Sequence, residues 1–291
     1  MEKTDKNLSS KPTIEEYYSE LKKINLDKKP VLSIILVGSR EDSLIYVNIK
    51  KKKCLELGIQ CDIHNYGYDV LDITIINRIN ELNNDLSVKG IMVQLPIPKT
   101  LDKNKIINCI DPKKDVDGLN PYNLGKIMNN EKPYFYPCTP LACIKLLEYY
   151  NIGVERKHIV FVGTGMVNLP LSLMLLHKKC SLSLCNEYTE NIKEKTNLAD
   201  ILIVACGKSK LIKKDWIKND SIIIDIGIHK NDGKLNGDVD YVRVLWDFVF
   251  LIAYSEEFMK KQSLGLVGLD VLNIFQYNLL YLYYFHQSFI Q

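Results

Sequence analysis

The sequence lacks several patterns that mark specialised classes of protein. Its eight cysteines form no C-x-x-C pair and have no nearby histidine to complete a zinc site, so the sequence predicts no metal site. Residues 1–12 are polar and partly acidic, which suits neither a signal peptide nor a transit peptide. The 291 residues carry a net charge of only +3, without a basic block, so composition does not support nucleic-acid binding. We therefore expect free thiols, a cytoplasmic location and no nucleic-acid partner.

Two apolar stretches, residues 241–254 and 271–290, have to be weighed as membrane spans. The first is too short to cross a bilayer and contains Arg243 and Asp247. The second contains side chains that are costly in hydrocarbon, namely Asn273, Gln276, Asn278, His286 and Gln287. We expect both stretches to be buried helices or an interface, and we expect no membrane partner.

The first half of the chain alternates short apolar runs with longer periodic ones. This pattern predicts strands at residues 31–37, 60–66 and 90–95, with helices at 43–57 and 71–86. The strands are too apolar to be half-exposed, which favours a buried parallel sheet. Residues 111–140 are rich in Pro, Asn, Gly and Asp, which indicates irregular structure between two domains.

The second half restarts the alternation. Strands are predicted at residues 158–162, 180–185, 201–206 and 221–226, with one helix running through residue 174 and a short one ending near residue 198. Four strands with short crossovers are typical of a dinucleotide-binding sheet. The predicted fold class is α/β with two domains: residues 1–138 with a C-terminal helix at 270–291, and a Rossmann-like doubly wound domain at 139–269.

Tyr46 and Lys50 are the first candidate site residues. They are four residues apart on the first predicted helix and therefore project from one face. An aromatic plate beside an amine suits a flat heteroaromatic substrate that gains or loses a proton. Because Lys51, Lys52 and Lys53 follow, the alternative is a solvated basic helix face with a packed tyrosine.

Two further motifs are ambiguous when taken alone. Gln94 ends a buried strand, and polar residues at the carboxyl ends of parallel strands face the ligand crevice. An amide there could orient a neutral amine or simply pair with the backbone. Asp115 and Asp117 lie in the segment K-D-V-D-G, whose turn formers could absorb both carboxylates structurally.

A strand–loop–helix segment at residues 159–170 contains part of a phosphate-binding fingerprint. Gly163 and Gly165 satisfy the start of G-x-G-x-x-G, but Asn168 holds the third glycine position. The following helix N-terminus can hold a phosphate. Asn186 and Glu187 follow the next strand, where an acidic side chain would bond a ribose 2′-hydroxyl and repel a 2′-phosphate.

Taken together, these segments resemble the bifunctional methylenetetrahydrofolate dehydrogenase/methenyltetrahydrofolate cyclohydrolase family. The resemblance runs in order from about residue 31 to residue 241. Its motifs are V-G-x-x-x-x-S-x-x-Y-V-x-x-K from Val37, G-I-x-V-Q-L-P-x-P from Gly90, K-D-V-D-G-x-x-P-x-N from Lys114, P-C-T-P from Pro137 and A-D-I-L-x-V-A-x-G-K from Ala199, followed by W-I-K, I-D-I-G-I and G-D-V-D.

The resemblance implies an activity and a set of site residues. A homodimer would oxidise 5,10-methylenetetrahydrofolate with NADP or NAD and hydrolyse the methenyl product to 10-formyltetrahydrofolate. Lys50 would transfer the proton, and Gln94 would hold the amine of Lys50 neutral and oriented. Tyr46 would stack on the folate. Asp117 would bond the pterin edge. The implied substrate contacts are Tyr46, Val93, Gln94, Leu95, Pro96, Asp117 and Gly265. The implied dinucleotide contacts are Gly163, Thr164, Gly165, Asn186, Glu187, Cys206, Gly207 and Ile228.

The chain departs from the family pattern at two places. Its phosphate turn is one residue short, and Thr164 and Glu187 stand where NADP-using relatives place basic or polar groups, so NAD is at least as plausible as NADP. After Asp240 the family would reach a T-P-V-P-G-G-V-G-P-M-T segment, of which this chain retains only Gly265, Val267 and Gly268. Leucines replace the rest and cannot give the same close backbone approach.

These departures leave alternatives open. Either some activity has been lost, or a reading or splicing error affects residues 241–263. One alternative function is a cyclohydrolase with an impaired dehydrogenase, and another is a non-catalytic relative that keeps the fold. An unrelated nicotinamide-dependent dehydrogenase would need a catalytic His or Lys in the second half, and His158, His177 and His229 show no such constellation in the sequence.

Overall fold

The computed structural model describes residues 7–8, 15–16, 19, 30–231, 234–240 and 249–252. Its helices are α1 (Glu41–Glu56), α2 (Asp72–Asn84), α3 (Lys103–Asn108), α4 (Pro121–Met128), α5 (Cys138–Tyr149), α6 (Asn168–Leu176) and α7 (Ile192–Thr196). Its strands are β1 (Asn7–Leu8), β2 (Val31–Val37), β3 (Gln60–Tyr66), β4 (Val88–Val93), β5 (His158–Val162), β6 (Ser181–Cys185), β7 (Ile201–Val204), β8 (Ile222–Asp225), β9 (His229–Asn231), β10 (Lys234–Asn236) and β11 (Val249–Ile252). None of the described helices is long and apolar enough to cross a membrane.

The chain divides into two compact units with a boundary between Cys138 and Thr139, and the described residues 7–8 and 15–16 belong to the C-terminal unit. The N-terminal unit contains a three-stranded parallel sheet in the order β3-β2-β4. The central strand β2 is buried along its whole length, because apolar side chains cover both of its faces. One face packs on Val47 and Cys54 of α1, and the other packs on Ile75 and Ile79 of α2. The two helices therefore cover opposite faces of the sheet.

Two expectations for the N-terminal unit need correction. Strand β3 is mostly half-exposed rather than buried, because it lies at the edge of the sheet and has only β2 as a neighbour. The segment 111–140 is more regular than expected, since it contains α4 and the start of α5. Helix α4 begins where the side chain of Asn120 accepts a hydrogen bond from the Tyr122 backbone at 2.9 Å, with Pro121 in the first turn.

The C-terminal unit contains a six-stranded sheet in the order β1-β11-β8-β7-β5-β6, and every neighbouring pair is parallel. Strand β5 has β6 on one side and β7 on the other. The chain thus winds in both directions from β5, and a ligand crevice forms at the carboxyl ends of strands at such a reversal. The predicted α/β class with parallel sheets in two units is confirmed.

The apolar stretch at residues 241–254 was expected to be a buried helix or an interface. Four of its residues, Val249–Ile252, instead form β11, which pairs in parallel with β8 and β1. An apolar run of this length has no helical or strand preference of its own, and here the free edge of β8 decides the outcome. The rest of the stretch, the predicted helix at 270–291 and Gly265 lie outside the described residues.

Candidate functional site

Lys50 and Gln94 meet at the carboxyl edge of the N-terminal sheet. Nζ of Lys50 donates a hydrogen bond to Oε1 of Gln94 at 3.0 Å and lies 3.7 Å from the sulfur of Met92. The Gln94 backbone donates to the carbonyl of Ile35 at 2.8 Å, and its side-chain nitrogen donates to the carbonyl of Leu95 at 2.8 Å. Because its amide nitrogen is held in this way, Gln94 turns its carbonyl oxygen towards Lys50.

The topology of the sheet explains this meeting. Helix α1, which carries Lys50, follows β2, and Gln94 follows directly after the adjacent strand β4. The carboxyl ends of parallel strands share one edge, so side chains that follow them converge. Tyr46 lies one helical turn before Lys50, and both side chains are half-buried. Lys50 is therefore not part of a fully solvated basic face.

Asp117 is the acidic partner in this region. Burial raises the pKa of its carboxyl group above the ordinary value, while the charge of Lys50 and the thiol of Cys138 act in the opposite direction. The sulfur of Cys138 lies 3.8 Å from Oδ1 of Asp117. The structure thus brings Lys50, Gln94 and Asp117 into one neighbourhood, with a carboxyl group whose neutral form is favoured by its surroundings.

Lys114 of the K-D-V-D-G segment has a structural task that sequence reasoning missed. Its ammonium donates to three backbone carbonyls at the end of α2, those of Leu82 (2.9 Å), Asn83 (2.7 Å) and Asp85 (2.8 Å). The last carbonyls of a helix have no partner within the helix, and a cation there satisfies them. Lys114 therefore fastens the segment that carries Asp117 to α2.

Asp115 and Gly118 shape the turn around Asp117. The buried carboxylate of Asp115 accepts hydrogen bonds from the Asn120 backbone at 2.7 Å and from the Asn123 side chain at 3.1 Å. Burial raises the pKa of Asp115 to about 7. Gly118 has a φ of +66°, and a Cβ there would lie 2.5 Å from the backbone of Tyr136. This turn accordingly requires glycine, and Asp115 is structural.

The remaining predicted substrate contacts lie close to Gln94 in the chain. Val93 is buried at the end of β4, Leu95 is half-buried and Pro96 is exposed. All three lie within two residues of Gln94, at or just after the end of β4, and their contact with substrate stays a prediction. Gly265 lies outside the described residues.

The C-terminal unit contains a cavity of about 430 Å³ at the carboxyl ends of β5, β6 and β7. Six of the eight predicted dinucleotide contacts line it: Gly163, Thr164, Gly165, Asn186, Glu187 and Cys206. Gly207 and Ile228 are not among the lining residues. Other lining residues were not predicted as contacts. Thr189, Ile192 and Leu211 belong to none of the quoted motifs, whereas Lys208 ends the motif A-D-I-L-x-V-A-x-G-K.

Gly163 is the glycine on which the cavity depends. Its φ is +101°, and a Cβ at this position would lie 2.2 Å from the carbonyl oxygen of Ala205. A Cβ at Gly165, by contrast, would meet nothing within 4 Å. The buried Asn168 donates to the carbonyls of Val162 at 3.1 Å and Gly163 at 2.9 Å. Its side chain thus closes the shortened turn from within.

A buried aspartate supports the second wall of the cavity. Oδ2 of Asp238 accepts from the backbone nitrogens of Cys206 at 2.7 Å and Gly207 at 3.1 Å. Its Oδ1 lies 2.6 Å from Nε2 of His229. Burial, reinforced by the charge of Asp238, raises the pKa of Cys206 to about 12, so its thiol stays protonated. Asp238 therefore holds the backbone of Cys206, which lines the cavity, and of Gly207, which does not.

His229 pairs with Asp238, whose other carboxylate oxygen holds the backbone of Cys206 and Gly207. The expectation that no histidine of the second half belongs to a catalytic constellation stays a prediction. Two of the quoted motifs contain the aspartates of this region. The motif I-D-I-G-I contains Asp225, and G-D-V-D contains Asp238, so these motifs were the signal available in the sequence. Asp225 accepts from the backbone of Val239 at 3.0 Å and of Asp238 at 3.2 Å. Among the described residues, no group of three His, Cys, Asp or Glu side chains could hold a metal ion.

Comparisons with known proteins agree with both halves of this geometry. A family model described as the tetrahydrofolate dehydrogenase/cyclohydrolase catalytic domain matches residues 5–117, and the NAD(P)-binding domain of the same family matches residues 137–250. The bifunctional protein FolD of Aquifex aeolicus is 43% identical over 218 residues, which cover 75% of this chain and 75% of that protein.

Solved structures are similar over nearly the whole chain. The bifunctional FolD methylenetetrahydrofolate dehydrogenase/cyclohydrolase of Campylobacter jejuni has a TM-score of 0.86 and 32% identity, covering 95% of this chain and 97% of that one. The corresponding Trypanosoma brucei enzyme, solved with NADP cofactor and an inhibitor, has a TM-score of 0.82 and 26% identity, covering 94% of each chain.

Proposed function

The chain belongs to the tetrahydrofolate dehydrogenase/cyclohydrolase family, and we propose that Lys50, Gln94 and Asp117 carry its folate chemistry. The enzyme oxidises 5,10-methylenetetrahydrofolate with NAD(P) and hydrolyses the resulting 5,10-methenyltetrahydrofolate to 10-formyltetrahydrofolate. The observation that supports these residue roles best is the 3.0 Å hydrogen bond from Lys50 to Gln94 at the carboxyl edge of the N-terminal sheet.

Lys50 is proposed as the proton-transfer residue of the hydrolysis. Water adds to the methenyl carbon and one of its protons passes to the amine of Lys50. The bond from that carbon to N5 then breaks as N5 takes up a proton and the new hydroxyl group loses its own, which leaves a formyl group on N10. Gln94 orients the amine and, being an amide, does not hold it in the charged form as a carboxylate would. A general base positioned in this way contributes about 10²-fold or more to the rate.

Asp117 and Tyr46 are proposed to hold the pterin ring. A carboxyl group whose pKa is raised by burial can offer both a donor and an acceptor, which matches the alternating polar edge of a pterin. Tyr46, one helical turn from Lys50, offers an aromatic plate for the ring. Val93, Leu95, Pro96 and, outside the described residues, Gly265 are proposed as further contacts.

The cavity of the C-terminal unit is proposed to hold the dinucleotide. Its size, the Gly163 backbone that tolerates no Cβ, and its place at the winding reversal of the sheet fit such a ligand. The bound dinucleotide supplies the hydride acceptor of the dehydrogenase step. Thr164 and Gly165, just before the nine-residue helix α6, are proposed to hold its phosphates. Gly207 and Ile228 are retained as proposed contacts.

We also propose a cytoplasmic homodimer. All eight cysteines are free, which suits a reducing compartment. The dimer is implied by the family resemblance, and light scattering coupled to size-exclusion chromatography measures it directly.

The hydrolysis of methenyltetrahydrofolate tests the function and the role of Lys50 together. The wild-type chain is expected to hydrolyse it, and Lys50→Met to lose at least about 10²-fold in rate. Lys51→Met is the matched control, because Lys51 is an exposed lysine on the same helix. Equal rates for wild type and Lys50→Met would overturn the role of Lys50, and an inactive wild type would overturn the proposed function.

A further inference from the structure

We propose that Glu187 makes this enzyme select NAD over NADP. The inference rests on the proposed function, because it concerns the dinucleotide of the dehydrogenase step. Glu187 lines the cavity of the C-terminal unit two residues beyond the end of β6. The chemical group that distinguishes the two dinucleotides is the 2′-phosphate on the adenosine ribose of NADP.

The strand order indicates which half of the dinucleotide Glu187 meets. Strands β6 and β7 lie on opposite sides of β5, and the Gly163 turn that receives the phosphates follows β5. Glu187 follows β6, whereas Lys208 follows β7. In a doubly wound sheet, the acidic residue after the second strand of the nucleotide-binding half reaches the adenosine ribose. Glu187 occupies that position, and Lys208 lies on the other side of the phosphate turn.

A hydrogen-bonded turn holds Glu187 in place. The Asn186 backbone nitrogen donates to Oγ1 of Thr189 at 2.9 Å, and the Thr189 backbone nitrogen returns a bond to the Asn186 carbonyl at 3.1 Å. The Tyr188 backbone nitrogen donates to Oδ1 of Asn186 at 3.0 Å. These bonds surround Glu187 without using its side chain. The side chain is exposed, and within the described part of the chain no group pairs with its carboxylate.

The described cations around Glu187 differ in their place relative to the cavity. Lys195 of α7 acts electrostatically on Cys185 at the end of β6, but it does not line the cavity. Arg156 precedes the amino end of β5, whereas the cavity lies at the carboxyl end of that strand. The five residues of β5 separate the two ends by about 17 Å. Lys193 of α7 is engaged by Asp215. Lys208 is the one lysine among the lining residues, and it lies beyond the phosphate turn. On the Glu187 side of the phosphate turn, a 2′-phosphate would therefore meet a carboxylate that lines the cavity, and no described lysine or arginine lines the cavity on that side.

The free carboxylate favours one dinucleotide over the other through two effects. A ribose 2′-hydroxyl can donate a charge-assisted hydrogen bond to Glu187, which stabilises bound NAD. A 2′-phosphate cannot donate in this way and repels the carboxylate at close range. Together the effects predict that NAD binds at least about tenfold more tightly than NADP.

Calorimetric titration of the full chain with NAD and with NADP tests the proposal without relying on turnover. Wild type is expected to bind NAD at least about tenfold more tightly, and Glu187→Gln to bring the two dissociation constants closer by tightening NADP. Glu190→Gln is the matched control, because Glu190 is exposed on the same loop but does not line the cavity. It is expected to keep the wild-type ratio. The ratio of kcat/KM for the two dinucleotides supplies a second readout.

Several outcomes separate this proposal from the proposed function. Equal or tighter binding of NADP by wild type overturns the role of Glu187 but leaves the dehydrogenase intact. An unchanged ratio in Glu187→Gln overturns it as well. If neither dinucleotide binds, both the inference and the dehydrogenase assignment fail, and continued hydrolysis of methenyltetrahydrofolate then shows that the folate site stands alone.

Discussion

Nζ of Lys50 donates a 3.0 Å hydrogen bond to Oε1 of Gln94, although 44 residues separate the two in the sequence. One residue follows β2 through a helix and the other follows β4 directly, so the sheet brings them together. A neutral acceptor at this distance orients the amine and leaves it able to exchange a proton. A carboxylate in the same place would form an ion pair.

The first prediction concerns that neutral acceptor. Gln94→Glu is expected to lower the rate of methenyltetrahydrofolate hydrolysis at pH 7 about tenfold or more, because the new carboxylate favours the charged form of Lys50. The rate should partly recover as the pH is raised. A pH–rate profile measures both effects, and a profile identical to that of wild type would contradict the assignment. Dinucleotide binding, measured by titration, is the internal control and should not change.

The second prediction compares two glycines of the phosphate turn. Gly163→Ala is expected to destabilise the fold by about 1–3 kcal/mol, because alanine is strained at a φ of +101° and its Cβ would press on the carbonyl of Ala205. Gly165→Ala meets nothing within 4 Å and should unfold close to the wild-type midpoint. Urea unfolding measures both variants. Equal midpoints for the two would mean that Gly163 does not hold the close approach described above.

The third prediction concerns Lys114, which caps α2. Lys114→Met should cost about 2 kcal/mol of stability, because three helix-end carbonyls lose their donor. Since the same residue fastens the segment that carries Asp117, folate hydrolysis should also slow. Lys99→Met, an exposed lysine, is the control and should leave both the unfolding midpoint and the hydrolysis rate unchanged. Equal stability for the two variants would show that the cap is unimportant.

The fourth prediction is a pH dependence that arises at Asp115. Its folded-state pKa of about 7 exceeds the ordinary value of 3.8, because burial penalises the ionised carboxylate. Between these pH values the folded chain binds more protons at this site than the unfolded chain. The free energy of unfolding should therefore decrease as the pH rises through this window and level off above pH 7.

Asp115→Asn should remove that slope. Urea unfolding at pH 5 and pH 8 is expected to show a loss of stability with rising pH that is at least about 1 kcal/mol larger in wild type than in the variant. Asp69→Asn, which replaces an exposed aspartate, should follow wild type. If Asp115→Asn loses as much stability as wild type between pH 5 and pH 8, the group that titrates is not Asp115.

Much of the fold could be predicted from local patterns. Strands β2, β3 and β5 begin and end at the residues predicted from the alternation of apolar and periodic segments. The meeting of Lys50 and Gln94 could also be predicted in part. Helical spacing identifies Lys50 as a candidate, and the position of Gln94 after a buried strand places it at the same edge of the sheet. Two predictions chose the wrong element. Residues 111–140 contain helix α4 where irregular structure was expected, and residues 249–252 form β11 because its partner is a strand more than twenty residues earlier.

The amino-acid sequence by itself determined the alternation of strands and helices, the glycine at position 163 and the polar side chains that follow the strands. These depend on periodicity, backbone conformation and neighbours along the chain. The tertiary structure alone decided that Lys114 caps α2, that Asp238 holds the backbone at Cys206 and that the pKa of Asp115 rises to about 7. Hydrogen-bond partners and burial depend on distance in space, and the partners here lie about thirty residues apart along the chain.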